Sequence, residues 1–302
     1  MRRRTWLLLP LLLIVVLLLL YQSGSRRPFE LIFLDVGQGD ATFLRTPEGK
    51  TALIDGGRSG KRLLEQLDHL GVTGLDLVVA THADVDHIGG LLRAVEAYPP
   101  RFFMDNGIPH TTQAYEKLLL AVEHSGSSYL NASERTITLG DARLTVLPPP
   151  RESENQNDNS IGVLLRYRRF KALLTGDSTA KEQAWWLEHY RDDLAGVTVY
   201  KAAHHGSRTG DRESFVGALS PAMIVISVGG GNSYGHPHPE ALAAYRQVGA
   251  KLYRTDQDGA VTVMIPLGGR AGYLVRTGEL EPTAAVGVPA VVTALLTRLW
   301  GR

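Results

Sequence analysis

The chain has no cysteine. That absence excludes disulfide bonds, a thiol nucleophile, a CxxC redox pair and any cysteine-ligated zinc or iron–sulfur site. A metal ion here has to be held by histidine, aspartate, glutamate or main-chain groups. An excess of charge of either sign is lacking too, since 32 Lys and Arg stand against 31 Asp and Glu, a formal net charge of +1. No internal repeat is visible, and Gly37-Gln38-Gly39 does not extend to the GxGxxG of a dinucleotide-binding turn. With 302 residues, 44% hydrophobic and 21% charged, the composition is that of a folded globular protein.

The near-neutral total conceals an uneven distribution. Arg2, Arg3, Arg4, Arg26 and Arg27 fall in the first 27 residues, which contain no acid. Without them, residues 28–302 carry 27 bases and 31 acids, a net charge of −4. Between the two arginine groups runs an almost unbroken apolar stretch from Trp6 to Tyr21. A cationic start followed by such a run is the pattern of a secretory signal or a signal anchor. The run is somewhat short for a full span of about 20 residues, and flanking arginines can snorkel to extend it. Ser23 and Ser25 make a poor cleavage site. Residues 1–27 therefore read as an uncleaved, single-pass anchor, with a cleaved signal and a secreted product as the alternative. The three leading arginines favour a cytoplasmic N-terminus, which places the remainder outside the cell membrane.

The other end also stands apart. Val288, Val291, Val292, Leu295, Leu296 and Leu299 make one apolar helical stripe after Pro282. Residues 271–302 read as a tail whose amphipathic helix docks on the domain, or lies on a membrane surface or partner with Trp300 as interfacial anchor.

Residues 28–270 have the size of one large domain. Runs rich in Val, Ile, Leu and Thr, bounded by Gly, Pro, Asn or Asp, read as strands. They are Glu30–Asp35, Ala41–Arg45, Thr51–Ile54, Leu75–Ala80, Arg143–Leu147, Ile161–Tyr167, Lys171–Leu174, Val197–Ala202, Met223–Ser227, Lys251–Arg254 and Val261–Ile265. Helical periodicity marks Lys61–Leu70, Ile88–Tyr98, Ala114–His124, Thr179–His189 and Pro239–Val248. This alternation predicts an α/β layered domain with a mixed sheet or two sheets.

The residues able to do chemistry gather at strand ends. Thr81-His82-Ala83-Asp84-Val85-Asp86-His87 follows the strand Leu75–Ala80 and precedes a helix. Two imidazoles and two carboxylates in so short a loop repel and desolvate unless a divalent cation neutralises them. Leu173-Leu174-Thr175-Gly176-Asp177 is an apolar strand ending in a Gly-Asp turn, a weak signal alone because Asp commonly caps a helix. A further strand ends in His204-His205-Gly206-Ser207. Adjacent side chains on a strand face opposite ways, so only one of these histidines is expected to ligate unless the strand has already ended. The basic run Arg166-Tyr167-Arg168-Arg169-Phe170-Lys171 reads as a hairpin turn with solvated charge, or else as a backbone-contacting patch for nucleic acid.

The succession HxDxDH, Gly-Asp and His-His-Gly-Ser resembles the metallo-β-lactamase fold. Leu34-Asp35-Val36-Gly37-Gln38-Gly39-Asp40, Leu53-Ile54-Asp55-Gly56-Gly57, Asp158-Asn159-Ser160, Tyr234-Gly235-His236-Pro237 and Tyr253-Arg254-Thr255-Asp256 narrow the likeness. Together they resemble the extracellular hydrolase domain of the ComEC family of DNA-uptake proteins, from about residue 30 to 266. The resemblance implies a four-layer αββα sandwich, two divalent ions, Zn or Mn, at one edge, and phosphodiester hydrolysis with DNA as substrate. Where the superfamily motif has a second histidine this chain has Asp84, a harder ligand that shifts preference toward Mn²⁺. The separate histidine usual before the bridging aspartate has no clear counterpart, and Asn159 or Ser160 occupies its place.

By motif position, His82 and Asp84 hold the first ion, Asp86, His87 and His205 the second, and Asp177 bridges. Asp86 and Asp177 thereby belong to the catalytic centre. His204 or His236 stabilises the phosphate or protonates the leaving oxygen. Asp40 and Asp55 orient ligands, and Asn159, Ser160 and Ser207 lie behind the ligands or touch substrate. ComEC proteins carry many membrane spans and this chain one short run, so a separate DNA-uptake channel protein is an expected partner. Two other functions fit the same residues. One is hydrolysis of a small phosphodiester or other ester, which the net −4 favours; the other is a non-enzymatic metal-binding accessory of the cell envelope.

Overall fold

The computed structural model describes residues 27–150, 152–267 and 272–280. The apolar run of the anchor and the stripe Val288–Leu299 lie outside the described residues. No helix among the described residues is long and apolar enough to cross a membrane.

Two sheets form the centre. The first runs in the order β15 (Leu274–Gly278), β14 (Ala260–Ile265), β1 (Phe29–Phe33), β2 (Thr42–Arg45), β3 (Thr51–Ile54), β4 (Leu77–Val79), β5 (Phe102–Asp105) and β6 (Ser128–Asn131). The second runs β13 (Lys251–Arg254), β12 (Met223–Ile226), β11 (Val199–Lys201), β10 (Phe170–Leu174), β9 (Gly162–Tyr167), β8 (Ala142–Leu147) and β7 (Arg135–Leu139). Alternation along the strands explains the layering. In β1, Phe29, Leu31 and Phe33 face the second sheet, where they join Leu144, Val163, Leu165, Leu174 and Val225. Ile32 faces the other way, with Phe43, Leu53 and Val78, onto Leu63 and Leu67 of α1 (Gly60–His69), Leu91 of α3 (Leu91–Ala97) and Leu118 of α4 (Gln113–Ser125). On the far side Leu164, Leu173, Tyr200 and Ile224 pack on Trp186 of α5 (Ala180–Leu194), Phe215 of α6 (Glu213–Leu219) and Tyr245 of α7 (Pro239–Gln247). The result is helix, sheet, sheet, helix. Strands buried on both faces read as continuous apolar runs, which is why their sequences showed so clearly.

Strands β3, β4, β5 and β6 are mutually parallel, as are β10, β11, β12 and β13. Ligands in such sheets bind outside the carboxyl ends of the strands. Asp55 follows β3, the Thr81–His87 loop follows β4, Asp177 follows β10 and His205 follows β11.

The sheet continues past the boundary drawn at residue 270, because β15 pairs antiparallel with β14. The basic run is the β9–β10 hairpin, with Arg168 left-handed at its turn (φ 55). Three of its four charges are engaged locally. Arg166 pairs with Asp193 at 2.5 Å, Lys171 Nζ donates to the Ala195 carbonyl at 2.6 Å, and Arg168 donates to the carbonyls of Pro266 and Leu267, both at 3.3 Å. The hairpin reading holds.

Candidate metal centre

The first sheet supplies a braced loop. Asp55 sits left-handed (φ 58) just after β3. Its Oδ1 accepts from the Thr81 amide at 2.7 Å and its Oδ2 from the Thr81 hydroxyl at 2.8 Å. The same Oδ2 lies 2.8 Å from His87 Nδ1. With Nδ1 donating to Asp55, His87 Nε2 is turned to the centre, 3.1 Å from Asp177 Oδ1. His87 stands in α2 (Val85–Ile88), one turn of helix that folds the motif back on itself. His82 Nδ1 lies 3.2 Å from the Thr81 hydroxyl, while its Nε2 faces Asp84 Oδ2 at 3.4 Å. The loop bearing Asp40 packs directly on this motif. A Cβ at Gly39 (φ 132) would stand 2.2 Å from the Asp86 carbonyl, so only glycine allows the approach.

The second sheet closes the site. Strand β11 ends at Lys201, before the two histidines. His204, His205 and Gly206 are all left-handed, with φ of 50, 54 and 77. The facing rule for strands therefore does not apply, and both rings approach the centre. His205 Nδ1 donates to the Ser227 carbonyl at 3.0 Å and sits 3.2 Å from Asp40 Oδ1. Its Nε2 faces Asp86 Oδ2 at 3.4 Å and Asp177 Oδ2 at 3.5 Å. His204 Nε2 lies 3.7 Å from Asp177 Oδ2.

Burial works against every charge here, and pairing decides the outcome. Burial disfavours charged His87, but Asp177 and Asp55 outweigh it and hold its pKa well above the usual range. For His205 burial is likewise overcome, by Asp177 and Asp40, and the pKa is raised to about 9. Asp177 is held well below the usual carboxylate range by His205 and His87 despite burial. His236 goes the other way. Burial and the neighbouring His205 and His204 lower it to about 4, so the ring is neutral at pH 7 and holds no imidazolium proton to give a leaving group.

The orphaned atoms of the cluster fit a bound cation. His82 Nε2, His87 Nε2, His205 Nε2, Asp177 Oδ1 and Asp40 Oδ1 are buried without a hydrogen-bond partner among the described residues. Buried polar atoms are rarely left so. Ligand atoms of His82, His87 and Asp177 lie within 4.8 Å of one another, and so do those of Asp86, His87 and His205. The donors are imidazole and carboxylate, a set suited to zinc or manganese.

Not every expected residue lands in this cluster. The Asp84 side chain is 41% exposed, near His82 but apart from the gathered groups. Asn159 does not fill the place of a ligand, because its amide is consumed by Ser153, accepting from the amide and donating to the carbonyl, each at 2.8 Å. Ser160 Oγ accepts from the Asp177 amide at 3.2 Å and so helps to position Asp177. Ser207 shapes the ligand turn, its amide donating to the His204 carbonyl at 2.8 Å. Lys201 was missed. It is buried, ion-pairs with Asp40 through Nζ, and donates to the Gly176 carbonyl at 3.3 Å. A lysine inside an otherwise apolar strand was the available signal.

Residues 34–227 match the Metallo-beta-lactamase superfamily. The chain is 26% identical over 254 residues to ComE operon protein 3 of Bacillus subtilis, covering 77% of this chain and 32% of that protein. It is 28% identical over 256 residues to Competence protein ComA of Neisseria gonorrhoeae, covering 80% and 33%. The chain thus spans about a third of the length of these curated relatives. Among solved structures, the metallo-beta-lactamase fold protein YhfI of Bacillus subtilis superposes with a TM-score of 0.53 at 12% identity, covering 83% of this chain and all of that one. Fold, ligand order and sequence agree, and the chain belongs to the metallo-beta-lactamase superfamily.

Proposed function

We propose that the protein is a dinuclear metal-dependent phosphodiesterase that cuts DNA outside the cytoplasmic membrane, in a process related to competence. The observation that carries the reading is the convergence of orphaned imidazole and carboxylate atoms at the carboxyl ends of parallel strands from both sheets. His82 and Asp177 would hold one ion, with the exposed Asp84 reaching it from beside His82, and Asp86, His87 and His205 the other, with Asp177 shared. Asp40, Asp55, Asp86 and Asp177 bring four carboxyl groups together beside one buried ammonium, that of Lys201. When bound, such ions supply Lewis acidity and activate water for attack on a phosphodiester.

The chain's own groups hold the geometry. Asp55 and Thr81 fix the His87 ring, Asp40 and the Ser227 carbonyl fix His205, and Lys201 fixes Asp40. Burial lowers the His204 pKa against the pull of Asp177, so this partly exposed ring is neutral and offers a hydrogen bond to a phosphate oxygen. The name of Competence protein ComA supports a role related to competence, and the motif resemblance supports DNA as the substrate. The arginine-flanked apolar run supports a membrane anchor with the domain outside, and a channel-forming partner completes the reading.

The test is cleavage of single- and double-stranded DNA by the purified chain with Mn²⁺ or Zn²⁺, repeated with chelator and with Asp177→Ala. Undiminished cutting by the Asp177 variant would sink the proposal. Turnover of a chromogenic diester with DNA left intact would select the small-phosphodiester reading, which the net charge of −4 over residues 28–302 favours.

A further inference from the structure

Two large apolar side chains stand in solvent at the rim of the metal centre. Val85, 41% exposed, lies between Asp84 and Asp86, and Tyr234, 54% exposed, lies in the loop between β12 and α7. That loop is pinned. Asn232 Nδ2 donates to the carbonyls of Gly229 at 3.0 Å and His236 at 2.7 Å, and Asn232 Oδ1 accepts from the His236 amide at 3.0 Å. The His238 amide donates to the Gly206 carbonyl at 2.9 Å, tying the loop to the ligand turn. The Tyr234 ring stacks on His236, with centroids 5.7 Å apart and planes 24° from parallel. His236 in turn lies 5.5 Å from the His204 ring and 6.2 Å from that of His205. A line of rings therefore leads outward from a metal ligand and ends in an exposed phenol face.

The cation of the ligand turn faces an acid. Arg208, in the ligand turn, lies 3.8 Å from Glu240. Duplex binding rests mainly on neutralising phosphates. Single-stranded nucleic acid is also held by stacking of bases on aromatic side chains. We infer that Tyr234 stacks an unpaired base beside the scissile phosphodiester, which makes single-stranded nucleic acid the preferred substrate. This inference rests on the phosphodiesterase reading and names the substrate form that the site selects.

The full, metal-loaded chain is tested on three substrates: a single-stranded oligonucleotide, the same strand with abasic residues, and its duplex. The single strand is cut with a lower KM than the duplex. Tyr234→Ala raises KM for the single strand about tenfold, as loss of one stacked base does. It leaves kcat and all constants for the abasic strand unchanged, and Tyr234→Trp restores the parent KM. Binding is read independently with a 2-aminopurine strand in chelator, whose fluorescence the parent and Tyr234→Trp quench and Tyr234→Ala does not. Equal losses on the base-bearing and abasic strands, or quenching by Tyr234→Ala, overturn the stacking inference. Failure of the parent to cut any of the three brings down the phosphodiesterase reading instead.

Discussion

Two of the aspartates buried in the half of the molecule built on the second sheet, Asp177 at 3% exposure and Asp211 at 6%, have opposite surroundings. Asp177 is ringed by imidazoles that hold it ionised against burial, and its Oδ1 has no hydrogen-bond partner among the described residues. Asp211 is ringed by neutral donors. It accepts from the hydroxyls of Tyr200 and of Tyr245 (2.6 Å), from Gln183 Nε2 at 2.9 Å and from the Ala203 amide at 3.0 Å. Burial pushes the Asp211 carboxyl up, and the two tyrosines only partly offset that. Its four bonds come from β11, α7, α5 and the first residue of the turn that carries His204 and His205. One carboxylate keeps an acceptor site open for a cation. The other has given its acceptor sites to the fold. Partner chemistry, not depth of burial, separates the two roles.

That contrast can be broken at either end. Asp177→Ala should lower kcat/KM by on the order of 10³-fold or more, as loss of a major electrostatic group does, while circular dichroism shows an intact fold. Asp211→Ala leaves the donors of two tyrosines, a glutamine and an amide unmet, and should destabilise the fold by about 3 kcal/mol in urea titrations. An Asp211→Ala protein that unfolds with its parent would erase the distinction. Asp55→Asn should weaken metal affinity about 10- to 100-fold, read by chelator competition, because His87 loses its orienting acceptor. The smallest expected effect concerns Glu182, a third buried carboxyl, which has no hydrogen-bond partner on either oxygen among the described residues. Burial and Asp158 hold its pKa well above the ordinary 4.5. The native state thus keeps a proton that the unfolded chain has released, so stability falls as pH rises above 4.5. Glu182→Gln should flatten that slope, and its stability gain over the parent should widen between pH 5 and pH 8. A gap that narrows would contradict the assignment.

The sequence made the first sheet's contribution legible and the second's much less so. His82, Asp84, Asp86 and His87 are neighbours in the chain, so their crowding shows without a fold. Asp40, Asp177 and Asp211 each follow a glycine, at 39, 176 and 210, and the sequence does not tell a ligand from a fold anchor in a Gly-Asp pair. Only packing does. The apolar runs read as strands do form strands, since burial on both faces leaves them apolar throughout. The strands overlooked include β6, whose pattern is mostly exposed, and β15, an edge strand with the sequence LVRTG. Edge strands carry polar residues facing water, and they lose the signal for that reason. Helix α6 escaped because at seven residues it is too short to show a period.

The left-handed run through His204, His205 and Gly206 carries a lesson for redesign. A non-glycine residue in that conformation gives up about 1–2 kcal/mol. A sequence optimised for thermal tolerance alone would write glycine at all three positions and erase both imidazoles. The native turn is a compromise held in place from outside, by Asp211 on one side and the Tyr234 loop on the other. Stability engineering of this protein therefore has to begin in those supports, because in the turn itself the most stable residue is the wrong one.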